Sequence, residues 1–124
     1  MSDAAVTALI PLAHVQSMTS AVSFYEKLGL EVINSVTPEG EEEPTWALMR
    51  SGRAEIMLAQ ASNPVVAAQQ AVLFYTYTPD ISVTHAALRT AGLSPGQIGR
   101  PFYNPGGEFR LTDPDGYVVY VAQI

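Results

Sequence analysis

The chain closes with the stretch GEFRLTDPDGYVVYV, which spans residues 107–121. Its centre, Asp-Pro-Asp-Gly at 113–116, predicts a tight turn, because proline presets φ at the second turn position and Gly116 tolerates the positive φ that closes the reversal. The residues on either side alternate in character, so they predict the two strands of a hairpin. Tyr120 lies on one face of the second strand, and that face is the one to examine for function.

Composition limits the class of protein. The 124 residues suffice for one domain, and 48% apolar against 15% charged residues is typical of a globular chain. A net charge of −6 with only six scattered Lys and Arg argues against nucleic-acid binding, which needs clustered cations. Because cysteine is absent, disulfides and thiolate sites are excluded.

The beginning of the chain, residues 1–5, lacks the basic and apolar regions of a signal peptide. No run approaches the roughly 18 apolar residues of a membrane span. We therefore expect no membrane partner and a cytoplasmic location.

Hydrophobic periodicity predicts both helices and strands. Ser17 and Asp80 are suited to be N-caps of two helices. The loop at 38–44 carries four glutamates, and we expect it to be solvated. The helices are predicted at 18–28 and 81–91, and the strands before the terminal hairpin at 6–15, 31–37, 45–50, 53–59, 71–77 and 93–100.

The second half of the chain repeats the first. The offset of 63 residues that brings Ser17 onto Asp80 also brings Trp46 onto Phe109, which predicts that both aromatic residues pack against a helix. A unit of this size can scarcely bury both a helix face and a sheet face alone, so we expect the two copies to pack together.

The predicted fold is accordingly α+β, with two tandem βαβββ modules in a single domain. The first module is predicted at about 5–61, the linker at about 62–69 and the second module at about 70–124.

Two motifs carry a family resemblance: FYEKLGL at 24–30 in the first helix and DPDGY at 113–117 in the last hairpin. In this tandem arrangement the chain resembles the vicinal oxygen chelate superfamily, which includes glyoxalase I, extradiol dioxygenases, fosfomycin-resistance enzymes and bleomycin-resistance proteins. The resemblance implies a curved mixed sheet around a cleft. It does not choose among the functions of the superfamily.

In the metal-using members, the resemblance implies ligands on the first and last strand of each module. Those positions fall at Ile10, Leu73, Met57 and Tyr120. None offers the imidazole or carboxylate that a catalytic divalent ion requires, and a neutral phenol is a poor ligand. We therefore predict no metal and no cofactor, which places the chain closest in character to the metal-free bleomycin-resistance branch.

A relocated site is the alternative. Strand parity puts His14 and Glu55 on cleft-facing positions, where they could serve as metal ligands of a lyase, isomerase or dioxygenase, or as the acid–base pair of a metal-free enzyme. These two residues are the catalytic candidates. His85, in the second helix, is predicted to be a surface or packing residue.

Without a metal, the cleft is predicted to be mostly apolar and aromatic, as small-molecule pockets are. Tyrosines can stack on a planar ligand, although residues such as Tyr77 are equally compatible with packing in a core or a dimer interface. Arg110 can hold a ligand anion or pair with Glu108. The candidate ligand-binding residues are His14, Glu55, Met57, Tyr75, Tyr77, Phe102, Tyr103, Arg110 and Tyr120, with Phe102 and Tyr103 forming either a lid or a loop plug.

The leading functional hypothesis is a metal-free protein that sequesters a planar aromatic or cationic compound such as an antibiotic. The acidic net charge favours a cationic ligand. The resemblance implies a homodimer with clefts at or near its interface. The enzymatic alternative uses His14 and Glu55, and a structural or regulatory interaction domain is a third possibility.

Overall fold

The computed structural model describes residues 4–124. Part of the stretch from which the absence of a signal peptide was predicted, residues 1–3, lies outside this range. The strands are β1 Leu12–Val15, β2 Glu31–Val36, β3 Trp46–Ser51, β4 Ala54–Gln60, β5 Leu73–Thr78, β6 Glu108–Thr112 and β7 Val118–Gln123. The helices are α1 Met18–Lys27 and α2 Ile81–Thr90, and a 3-10 turn spans Ala67–Gln69.

Both helices begin at the predicted caps. The Ser17 hydroxyl accepts a hydrogen bond from the Ser20 N–H at 3.2 Å, and the Asp80 carboxylate accepts one from the Val83 N–H at the same distance. Each bond satisfies an amide that the first helical turn leaves without a partner. No helix within residues 4–124 has the length and apolar content to cross a bilayer.

The strands form two sheets, one from each half of the chain. The first has the order β1-β4-β3-β2 and the second β5-β7-β6. In each sheet the strand before the helix pairs in parallel with the last strand, and the remaining pairs are antiparallel. The α+β class is confirmed.

The helices cover one face of the sheets, and the buried apolar residues of both halves belong to one cluster. Leu58 and Val121 contribute to it from the last strands, and Phe24 and Leu88 from the helices. The opposite side of the sheets, which we call the open face, is more exposed. The open face consists of Leu12, His14, Trp46, Leu48, Glu55 and Met57 in the first sheet and of Leu73, Tyr75, Tyr77, Glu108, Arg110, Val118 and Tyr120 in the second.

Two predicted strands differ in the structure. The first begins at Leu12, and from the segment before it Pro11 contributes a carbonyl that accepts the Met57 N–H at 2.9 Å. The segment 93–100 is not a strand but makes a single bridge between Gly99 and Glu108. Pro95 lacks an amide hydrogen, which prevents a continuous ladder there.

The predicted helix-packing role of Trp46 was wrong. Trp46 pairs with Ala59 on the open face, and Ala47 beside it is the buried residue. Residues 51–54 separate the paired Arg50 and Glu55, whereas the longer segment 113–117 separates the equivalent strands of the second half. Because the longer turn shifts the strand by one residue, every side chain before it changes face.

Phe109 behaves as predicted, because it is buried and contacts the second helix. Its ring lies 4.9 Å from the imidazole of His85 in an edge-to-face arrangement. That imidazole also bonds the Gly96 carbonyl at 2.9 Å. His85 is thus a packing residue, as expected.

Candidate functional site

An aromatic pair stands at the centre of the second sheet. Tyr75 and Tyr120 are direct partners in the parallel pairing of β5 with β7, so their side chains leave the open face side by side. Their rings are 4.8 Å apart and differ by only 5° in orientation. Tyr75 retains 44% of its exposure, so the stack remains accessible.

The neighbouring open-face position carries a buried carboxylate. Glu108 retains only 8% exposure although it lies on the open face, because the segment after Pro101 folds over it. The hydroxyls of Tyr75 and Tyr103 each donate to it at 3.4 Å, and the Asn104 amide donates at 3.3 Å. The carboxylate is therefore surrounded by neutral donors.

The negative charge of Glu108 acts on the tyrosines around it. Partial desolvation first, and this charge second, raise the pKa of both Tyr75 and Tyr103 above 10.0. A phenol with its ordinary pKa is already protonated at neutral pH, and the upward shift keeps both hydroxyls as hydrogen-bond donors at higher pH as well.

The ion pair between Glu108 and Arg110, one of the two roles considered for Arg110, does not form. Among residues 4–124, the ion pair that the structure contains joins Arg50 to Glu55 at 3.3 Å. Arg110 is exposed, and in the described part of the chain no ion pair joins its guanidinium to the carboxylate. The positive charge nearest in sequence thus leaves Glu108 uncompensated.

The loop aromatics predicted as a lid or plug are exposed. Phe102 retains 95% and Tyr103 63% of their accessible surface, and their rings meet edge to face at 5.5 Å. A loop plug would be buried, so this exposure favours a lid. Tyr77, on the same open face, retains 65%.

A cavity of about 380 Å³ lies between the two halves. Its wall is largely apolar, with Leu30 and Ile56 from the first half and Leu73 and Phe74 from the second. Glu55 and Tyr75 also line it, which connects this cavity to open-face residues of both sheets. An apolar hollow beside exposed aromatic rings suits a small organic molecule.

The catalytic candidates of the first sheet are not brought together. His14 pairs with Ala59, four residues along β4 from Glu55, a separation of about 13 Å at roughly 3.3 Å per residue. Glu55 is engaged by Arg50, whereas His14 lines a shallow hollow with residues 61–65. Met57 stands between them on the open face.

The positions implied for a metal do not fit one. Met57 pairs with Leu12 and Tyr120 with Tyr75, whereas Leu73 pairs with Val118. Ile10 lies before β1. None of these side chains supplies an imidazole or carboxylate. In the described part of the chain, no group of three or more His, Asp or Glu residues is placed to hold a metal ion.

Two residues of this site were not among the ligand-binding residues predicted from the sequence. Glu108 was considered as a possible cleft-facing residue and as a partner of Arg110, and Asn104 was assigned only to a loop. The alternation that exposed Tyr120 already placed Glu108 on the same side of the sheet, but its burial by the 101–106 segment depends on how that loop folds.

Comparison of the chain with known protein families identifies the superfamily to which it belongs. The family model described as the Glyoxalase/Bleomycin resistance protein/Dioxygenase superfamily matches residues 10–121. The chain belongs to this superfamily. No match was found among curated protein sequences.

Solved structures of the superfamily's fold align over nearly the whole of this chain. A bleomycin-binding protein complexed with bleomycin aligns at 15% identity and a TM-score of 0.75, over 96% of this chain and 99% of its own. TnmS3, an antibiotic-binding protein from Streptomyces sp. CB03234, aligns at 20% identity and a TM-score of 0.71, over 96% of this chain and 97% of its own. A putative glyoxalase family protein from Bacillus anthracis aligns at 20% identity and a TM-score of 0.72, over 98% of both chains. These similarities establish the shared fold.

Proposed function

We propose that this superfamily member binds and sequesters a small planar organic molecule without a metal ion. The observation that carries the proposal is the accessible stack of Tyr75 on Tyr120 above a buried carboxylate. Aromatic faces attract planar rings and cations, and tyrosine hydroxyls can fix their orientation. The bleomycin-binding and antibiotic-binding proteins that share the fold support this class of ligand.

A cationic ligand is favoured by electrostatics. The net charge of −6 raises the local concentration of cations around the whole protein. The loop at 38–44 adds four exposed glutamates near the edge strand β2. Because these charges are solvated, we assign them a role in attraction rather than in direct contact.

We also propose that two copies associate through their open faces. Leu12, Leu73 and Tyr77 keep between 47% and 65% of their exposure on this face. Exposed apolar side chains on one face of a sheet are available to form a protein or ligand interface. A homodimer would cover the open face and enclose the aromatic stack. The cytoplasmic location stays a prediction.

The enzymatic alternative has less support. His14 and Glu55 lie far apart on the first sheet, and Glu55 is held by Arg50. A general acid and a general base must both reach the reacting group, and this pair reaches different hollows.

The proposal is tested by titrating bleomycin and a panel of planar cationic drugs against the protein, with Trp46 and tyrosine fluorescence as the signal. We expect saturable quenching, and Tyr75→Ala should weaken binding about tenfold or more, since one lost stacking contact costs roughly 1–3 kcal/mol. Val83→Ala is the matched control, because Val83 is 64% exposed on α2, away from the open face. A flat response across the panel would refute the proposal.

A further inference from the structure

Glu108 is a buried carboxylate whose charge no basic side chain balances. It retains 8% exposure, and neither Arg100 nor Arg110 forms an ion pair with it in the structure of residues 4–124. Burial of a carboxylate without a positive partner is costly. Such a position is complementary to a cation that arrives from outside the chain.

The contacts that Glu108 already makes leave room for another donor. Its three hydrogen bonds, from Tyr75, Tyr103 and Asn104, measure 3.3–3.4 Å. Charge-assisted bonds are shorter, at about 2.7–2.9 Å, and a carboxylate offers about four acceptor positions. The existing bonds are therefore weak enough to yield to a charged donor, and one position is unused.

Access is provided by the exposed segment over the carboxylate. Tyr103 is 63% exposed and Phe102 95%, so they can move aside without loss of core packing. The hydroxyl end of Tyr75 touches Glu108, and the ring of Tyr75 belongs to the aromatic stack. A ligand lying on that stack thus has its edge directed at the carboxylate.

We propose that Glu108, together with Tyr75 and Tyr103, forms a subsite for a cationic nitrogen of the ligand. A positively charged N–H group donates to the carboxylate, and the tyrosine rings add cation–π attraction. This inference rests on the proposed function, and it assigns the ligand's positive charge to one place. If the subsite exists, planar molecules that carry a positive charge should bind more tightly than uncharged planar molecules of the same shape.

Two dyes with the same ring system distinguish binding by aromatic stacking alone from binding that also uses the Glu108 subsite. At slightly alkaline pH 9-aminoacridine is a cation whose charge is shared by its ring N–H and its amino group, whereas acridine is uncharged, and both can stack on Tyr75. We expect the wild-type protein to bind 9-aminoacridine about tenfold tighter than acridine, the factor that one charge-assisted hydrogen bond supplies. Glu108→Gln should remove that preference, so that the two dyes bind this variant with equal affinity.

Glu26→Gln is the matched control, because Glu26 is an exposed carboxylate on α1 and its removal changes the net charge equally. It should behave as the wild type. Equal affinity for the two dyes, or a preference that survives Glu108→Gln, overturns the subsite and leaves aromatic binding intact. Failure of the wild type to bind either dye overturns both proposals.

A second variant keeps the test informative if Glu108→Gln does not fold. Tyr103→Lys changes an exposed loop residue and supplies an ammonium from the chain itself, at a position whose present hydroxyl already reaches Glu108. We expect this variant to lose the preference for 9-aminoacridine over acridine, because its own ammonium occupies the carboxylate. A retained preference overturns the proposal.

Discussion

The hydroxyl of Tyr25 donates a hydrogen bond of 2.7 Å to the carboxylate of Asp113. Both residues are buried, and the other oxygen of Asp113 accepts the backbone N–H groups of Asp115 and Tyr117 at 2.9 Å. The first helix is thereby bonded to the turn of the last hairpin. Asp115 strengthens the connection, because its carboxylate accepts the Gln16 N–H at 2.8 Å.

Tyr25→Phe should lower the free energy of unfolding by about 1–3 kcal/mol, because it leaves the buried Asp113 carboxylate without one of its donors. Urea denaturation followed by circular dichroism measures this change. Tyr77→Phe is the control, since Tyr77 is 65% exposed and its change should cost almost nothing. Equal stability of the two variants would refute the role given to Tyr25.

Asp113 should make stability depend on pH. Burial raises the pKa of its carboxyl above the ordinary 3.8, although the Tyr25 hydroxyl and two backbone amides oppose the shift. Folding therefore favours the protonated carboxyl of Asp113. The resulting contribution to the free energy of unfolding is full below pH 3.8 and is lost as the pH rises through the raised pKa of Asp113.

Asp113→Asn should remove this loss of stability with rising pH, because asparagine does not titrate. Its amide oxygen can still accept both backbone N–H groups, so the turn is kept. Relative to the wild type, the unfolding free energy of the variant should increase as pH rises above 3.8. Urea denaturation at a series of pH values checks this, with Glu26→Gln as the control. Parallel curves for the wild type and Asp113→Asn would show that Asp113 contributes no such dependence.

Gly116→Ala should be strongly destabilising. Gly116 has a φ of +89°, and an added Cβ would lie 2.6 Å from the Cα of Ala67. Strain and clash together should cost at least about 2 kcal/mol in thermal or urea unfolding. Gly52→Ala shares the positive φ but meets nothing within 4 Å, so it should cost only about 1 kcal/mol.

Leu12→Glu tests the proposed association of two copies. Leu12 is 47% exposed on the open face, and a charge there would have to be desolvated in a dimer. Sedimentation equilibrium should show a dimer for the wild type and a monomer for this variant. Val83→Glu, on the outside of α2, should remain dimeric. A monomeric wild type would contradict the proposed dimer.

Several predictions from local sequence were confirmed because the relevant interactions are local. Ser17 and Asp80 cap helices within three residues of themselves, and the 113–116 turn is determined by the conformations of proline and glycine. The two failures have separate causes. The role of Trp46 was inferred from the repeat, which does not record a one-residue difference in turn length. The 93–100 segment contains Pro95, which lacks the amide hydrogen that a continuous ladder needs, and it makes a single bridge instead.

By itself the sequence determined the α+β class, the two helices with their caps, the last hairpin and the strand face that carries Tyr75 and Tyr120. These features depend on periodicity and on residues close together in the chain. Only the tertiary structure decided that Glu108 is buried beneath Tyr103 and Asn104 and that His14 is remote from Glu55. Burial and distance arise from strand register and loop packing, which join residues that are far apart in the chain.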